Sequence, residues 1–209
     1  MAISDPEIHS VIFDLTKSIA GHSDLETLCQ ALAAALRRVV NFDDLGVALY
    51  DSGRSEFRLH ALSTNRPRPQ EIPIPADGNP LAEWVWREQK PLVLPSLEDE
   101  TRGGEVIRIA REGGVRALIV VPLSNGDRRL GFLGFGFVQP YQPDEHVLEF
   151  LQRVASEFAV AVDGYLARNA LQKERDRIHA LFEITTALVS KLPMDELLHE
   201  ISSQLSKVV

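Results

Sequence analysis

The chain has 209 residues, 44% of them apolar, and a formal net charge of -8. That is enough apolar side chain to fill a core of ordinary domain size, while the acidic balance lacks the concentration of Lys and Arg that nucleic-acid surfaces need. No apolar run approaches the length that crosses a bilayer, MAISDPEIHS has no secretory-signal pattern, and the single Cys29 excludes an intramolecular disulfide or a cysteine-cluster metal site; the chain reads as a cytoplasmic globular protein.

Ile8, Ile12, Leu15 and Ile19 recur at helical spacing and predict a first amphipathic helix. Ser23-Asp24-Leu25-Glu26 has the pattern of a capping box and starts a second helix that is expected to run to about Val40. Its apolar face is Leu25, Leu28, Cys29, Leu32, Leu36 and Val39, which makes Cys29 a small buried hydrophobe rather than a reactive thiol. Leu45 to Tyr50 and Phe57 to Leu62, joined through Asp51-Ser52-Gly53, predict a hairpin. The stretch TNRPRPQEIPIPADGNP then carries Pro67, Pro69, Pro73, Pro75 and Pro80, and each removes an amide donor, so no regular central strand is expected there.

Asn79 can cap a short helix beginning at Pro80, with Leu81, Trp84, Val85 and Glu88 on one face. Trp84 is expected in the core and Trp86 on the half-buried flank. A short strand at Pro91 to Leu94, a polar loop, and a brief helix from Glu105 to Glu112 stopped by Gly113-Gly114 lead to the strongest signal in the chain. This is Gly114 to Val138, two apolar arms about Asn125-Gly126-Asp127, whose residues tolerate the positive φ that hairpin turns need. The second arm separates Leu130, Phe132, Gly134 and Gly136 from Gly131, Leu133, Phe135 and Phe137. One face is cut away by glycine, a mark of a bend or of a close approach to the sheet. A long exit helix is expected from Pro143, with the stripe Leu148, Leu151, Ala155, Phe158, Val162 and Tyr165, followed by a charged helical stretch over Gln172 to Arg177.

The segment from Leu181 to Val209 copies that from Ile12 to Val40 at a constant offset of 169 residues, with Phe13/Phe182, Thr16/Thr185, Leu28/Leu197, Leu36/Leu205, Val39/Val208 and Val40/Val209 identical. The repeat predicts a second domain of the same kind that has only begun, so the chain reads as a fragment of a modular protein. Its apolar helices should pair with the same segment of a second chain.

The order of parts from Ile12 to about Leu166, with Trp84-Val85, Lys90-Pro91-Leu92-Val93-Leu94, Val121-Pro122-Leu123, Gly131-Phe132-Leu133-Gly134 and the helix from Pro143, resembles a GAF domain. The resemblance implies an α+β, GAF/PAS-like fold: a central antiparallel sheet of about six strands, helices on one face, short helices and loops over the other. It implies a GAF domain over 1–166, a helical linker over 167–180 and the N-terminal helices of a truncated second GAF domain over 181–209. The second helix and NFDDLGVALYD are similar to the tandem sensory region of formate hydrogenlyase-activator-like, sigma-54-dependent regulators, which implies an effector elsewhere: an ATPase acting on sigma-54 polymerase, or a histidine kinase. Cys29 lies away from the place of a bilin-linking cysteine, and one cysteine falls short of the methionine sulfoxide reductase type. Gly136-Phe137-Val138-Gln139-Pro140 stands where a cyclic-nucleotide motif would begin, and the six histidines are scattered singly.

The expected function is therefore a non-catalytic sensor that binds a small molecule, dimerises through its N-terminal and exit helices, and controls a downstream effector. No cofactor is identified, and neither nucleic acid nor membrane is expected as a partner. The pocket is expected between the sheet and the polar loops, at Trp84, Arg108, Arg111, Arg116, Phe132 and Gly134, the arginines suiting an anionic molecule at its rim. The alternative is a ligand-free dimerisation or interaction module whose pocket is filled by Phe132 and Trp84. No nucleophile-base pairing, metal spacing or phosphate loop suggests an enzyme.

Overall fold

The computed structural model describes residues 25–63, 71–102 and 104–189. The predicted first helix, the Ser23 cap, residues 64–70 and residues 190–209 of the repeat lie outside them. Six strands form one antiparallel sheet: β1 (Asp44–Asp51), β2 (Glu56–Ser63), β3 (Glu71–Pro75), β4 (Leu92–Leu94), β5 (Ala117–Asn125) and β6 (Arg128–Phe137), in the order β3-β2-β1-β6-β5-β4. The helices among the described residues are α1 (Leu25–Leu36), α2 (Pro80–Glu88), α3 (Gly104–Glu112) and α4 (Glu145–Val189).

Helix α1 stops at Leu36, earlier than the periodicity suggests. The amides of Val39 and Val40 both turn back to the Leu36 carbonyl, closing the helix in a tight turn before the β-branched pair Val39-Val40. Cys29 is fully buried on its inner face. A strand also forms inside the proline-rich stretch, but at the sheet edge. The Ala76 amide donates toward β2, to the Ser55 carbonyl, so by alternation the positions of Pro73 and Pro75 face the open edge, where no ladder bond is lost.

The two faces of the sheet are both covered. Val47, Ile119, Val121, Leu133 and Phe135 are fully buried on one face, beneath the apolar stripes of α1 and of the first turns of α4, with Phe42 edge-on to Phe135 at 5.7 Å. Helix α4 begins at Glu145 rather than Pro143, because the Asp144 carboxylate accepts the Val147 amide and so acts as the N-cap. Its buried stripe includes Val147, Phe150 and Val154 beside Leu151, Ala155, Phe158 and Val162. On the opposite face Ala48, Phe57, Ile74, Leu118, Val120 and Phe132 pack against α2 and α3.

By contacts the chain divides into two compact units, Met1–Tyr165 and Leu166–Val209. Within the second unit the helix continues through the charged stretch to Val189, so the first residues of the repeat join it without a break.

His60 on β2 lies opposite Val47 of β1 and Glu71 of β3. Burial pushes its imidazole below the ordinary value; the Glu71 carboxylate pulls upward, and Arg58 adds to the lowering. The fold thus prefers the neutral ring, and this part of the stability is complete above about pH 6.5 and is lost as pH falls through the lower folded-state value. Thermal melting followed from neutral to mildly acidic pH should show a fall that His60→Gln flattens; an unchanged slope in that variant would assign the fall to other groups.

Candidate functional site

Along β6 the residues Phe132, Gly134 and Gly136 face α3, while Leu133, Phe135 and Phe137 face the other way, as the alternation predicts. The alternation breaks nearer the turn. Leu123 pairs with Gly131 but Ser124 with Arg129, which leaves Leu130 as an extra residue in a bulge rather than in step with Phe132. At Gly131 the φ is 154°, and a Cβ there would stand 1.8 Å from the Ala48 carbonyl oxygen. Glycine is needed at this position because the β1 backbone occupies the place of a side chain.

At Gly134 the reason for glycine is the opposite one. A Cβ added there meets only a Leu118 methyl, at 4.0 Å, because Gly134 opens onto a cavity of about 70 Å³. The floor of the cavity is Gly46, Gly134 and Gly136, and Gly46 is the direct partner of Gly134 across the β1–β6 ladder. Its roof is the inner stripe of α3, formed by Val106, Ile109 and Ala110. Phe132, Leu118 and Ile74 make up much of the wall, and among the described residues Asp44 is the one ionisable group in the lining. A space of this size holds a few heavy atoms, well below the roughly 300–1,000 Å³ of pockets for drug-sized ligands.

Beside the cavity stands an aromatic cluster. Phe57 lies 4.9 Å from Phe132 and 5.2 Å from Tyr50, and Trp86 is 4.7 Å from Tyr50 and 5.4 Å from Phe57. Trp86, expected on the half-buried flank, is half-buried and joins this cluster; Trp84, expected in the core, is also only half-buried and packs against the same apolar layer, while Leu81, Ala82 and Val85 are the buried residues of α2. Helix α2 itself begins as expected, with Asn79 Oδ1 accepting the Ala82 amide and Pro80 at the first position. The Asn79 Nδ2 group is buried without a partner among the described residues.

Of the predicted site residues, Phe132 and Gly134 come together in the cavity and the other four do not. Arg108 projects from α3 and pairs at 2.6 Å with Glu112, one turn on. Arg111 turns to the loop before α3, where its guanidinium donates to the carbonyls of Leu97, Glu98 and Glu100. Arg116 pairs with Glu98 at 2.7 Å. Together Arg111 and Arg116 edge a separate, open cleft with Leu97, Glu98 and Gly114. The α3 roof and Gly46 escaped the sequence reading, since only long-range strand pairing brings them over and beside Gly134.

Among the described residues no group of three or more His, Cys, Asp or Glu side chains is placed to hold a metal, and no described helix is long and apolar enough to cross a membrane. No curated protein sequence matches the chain. The fold is similar to that of the GAF domain of a phosphoenolpyruvate-protein phosphotransferase from Coxiella burnetii, with a TM-score of 0.65 at 15% identity, covering 80% of this chain and 99% of that one. The GAF domain of a two-component sensor histidine kinase from Bacillus halodurans gives 0.62 at 17% identity over 71% and 99%. A free methionine-R-sulfoxide reductase from Neisseria meningitidis, solved with its substrate, gives 0.59 at 18% identity over 80% and 96%. At such identities these likenesses concern the fold, but the family model for the GAF domain matches residues 22–163, the whole described sheet with α1, α2 and α3, and the chain belongs to the GAF domain family.

Proposed function

We propose that the chain is a non-catalytic, cytoplasmic sensory module that takes a small molecule into the cavity under α3 and, as a homodimer joined through its N-terminal and exit helices, controls an effector, a transcriptional regulator. The observation that carries this reading is the double role of β6. Its Phe132, Gly134 and Gly136 line the cavity, and its Leu133, Phe135 and Phe137 are buried against the opposite layer, which includes the start of the exit helix. The hairpin turn is tied to the same helix, with Asn125 Nδ2 and Arg128 Nη1 donating to the Asp163 carboxylate at 2.8 and 2.5 Å. A molecule that favours one arrangement of β6 therefore favours one setting of that helix, and a ligand acts only through such a difference.

The second unit supports pairing of two chains. Leu171, Ile178, Leu181 and Phe182 are 55–73% exposed on one helix, and Leu171 and Ile178 stand one heptad apart. Glu174, between them, interrupts the stripe and sets its weak point. In sedimentation experiments the protein should run at twice the 23.3 kDa of the chain, and Leu171→Glu with Ile178→Glu should return it to a single chain with an unchanged circular-dichroism spectrum of the sheet. A native chain that is monomeric at all concentrations sinks the dimer.

The small cavity also favours a second reading, a GAF module that pairs chains without any ligand. Native mass spectrometry of protein purified from cells separates the two: an excess mass lost on denaturation supports the sensor, and bare dimers support the interaction module.

A further inference from the structure

The cavity specifies the chemistry of what it can hold. We infer that it is a site for a small, uncharged and largely apolar molecule of a few heavy atoms, one aromatic ring at the most, and that it excludes anions; the inference rests on the sensory reading of this cavity and names its ligand class.

Three observations carry it. The lining is carbon almost throughout: Leu59, Ile74, Leu118, Val120 and Phe132 from the sheet side meet Val106, Ile109 and Ala110 from α3. The backbone groups at its floor are already in the ladder, Gly46 with Gly134 and Asp44 with Gly136, so they have little left to offer a polar ligand. Among the described residues no cation lines it to neutralise a carboxylate or phosphate. Arg108, Arg111 and Arg116 lie outside the lining and are engaged by Glu112, by three loop carbonyls and by Glu98. Asp44, the lone ionisable residue among the described residues of the lining, would repel an anion, and it already has a partner within the protein. A buried charge without a counter-charge is strongly disfavoured, whereas dry apolar cavities accept benzene or xenon.

The volume, about half of the roughly 150 Å³ of an apolar cavity that takes benzene, makes one ring the upper limit. The free volume is about 70 Å³, and of the floor glycines Gly134 opens onto it, whereas a Cβ at Gly46 or Gly136 would stand 2.8 Å from Leu59 or 2.9 Å from Val115. The position of Gly134 shows that the space is real, for a Cβ there finds nothing nearer than 4.0 Å. Packing alone therefore does not demand glycine at this point.

The test uses the full chain, with isoleucine, leucine and valine methyl groups labelled for NMR, titrated with benzene, benzoate and benzylammonium. Benzene should shift the methyl resonances of Ile74, Ile109 and Leu118 and raise the melting temperature, while the two charged analogues leave both unchanged. Gly134→Val should remove the benzene response while the fold is retained, and Gly134→Ala, the milder filling, should weaken it. Shifts with benzoate as large as those with benzene overturn the inference, as does benzylammonium binding in preference to benzene, or no response to any of the three. Benzene shifts at the cavity methyls with none at Ile178 and Leu181 uphold the site and its chemistry while removing the signalling role assigned to it above.

Discussion

Gly131→Ala should leave the protein unable to hold its native sheet, with a loss of more than about 4 kcal/mol, a large part of the roughly 5–15 kcal/mol that holds a domain of this kind folded. The new Cβ would stand 1.8 Å from the carbonyl oxygen of Ala48 and 3.0 Å from the Cα of Leu49. Both are backbone atoms, so no rotamer change relieves the clash. The φ of 154° adds strain for any residue with a side chain. Relief requires β6 to move off β1, and these are the two central strands of the sheet. Urea denaturation, or the soluble yield if the variant does not fold, reads the effect. The control lies on the same strand: Gly134→Ala meets only ordinary van der Waals contact and should be neutral or stabilising by up to about 1 kcal/mol, since alanine costs less chain entropy than glycine. Equal losses from the two substitutions would show that general strand propensity, and not the contact with Ala48, governs this region.

Phe57→Ala should cost about 3–5 kcal/mol, the usual range for removing a buried phenylalanine. The ring is 1% exposed and lies at the centre of the aromatic cluster, within 5.4 Å of Tyr50, Trp86 and Phe132. Its neighbours come from β1, β6 and α2, so collapse around the gap would have to move three elements at once. Phe57→Leu keeps most of the volume and should lose markedly less. Denaturant titration with tryptophan fluorescence checks both values, because Trp86 touches the ring that is removed. A loss below about 1 kcal/mol for the alanine variant would mean that the cluster repacks readily and does not anchor α2 to the sheet.

Much of this fold is legible in the sequence. The hairpin β5–β6 announced itself by Asn125-Gly126-Asp127 between two apolar arms, and Gly126 indeed has a φ of 57°. The α2 start at Asn79-Pro80 and the inward place of Cys29 follow from equally local chemistry. Phe132 and Gly134 were identified as site residues from the asymmetry of β6, and both line the cavity. The arginines were chosen for their charge alone, and charge does not tell where a long side chain ends. Arg111 shows why: its guanidinium is spent on carbonyls 11 and 14 residues away, a pairing that depends on how the loop before α3 folds back. Trp84 and Trp86 both lie at the edge of the apolar stripe and both are half-buried, and the contact of Trp86 with Tyr50 depends on β1, which the local pattern of α2 does not contain.

What the sequence determined by itself was the set of local elements, their caps and turns, the apolar faces and the family resemblance, since each depends on interactions within a few residues or on the alternation of side chains along one strand. Only the tertiary structure decided that the proline-rich stretch supplies an edge strand, that Gly131 meets the β1 backbone while Gly134 opens onto free space, and that the roof of the cavity comes from α3. Those outcomes depend on which strands lie side by side and in what register, and register is set by long-range packing that no single segment contains.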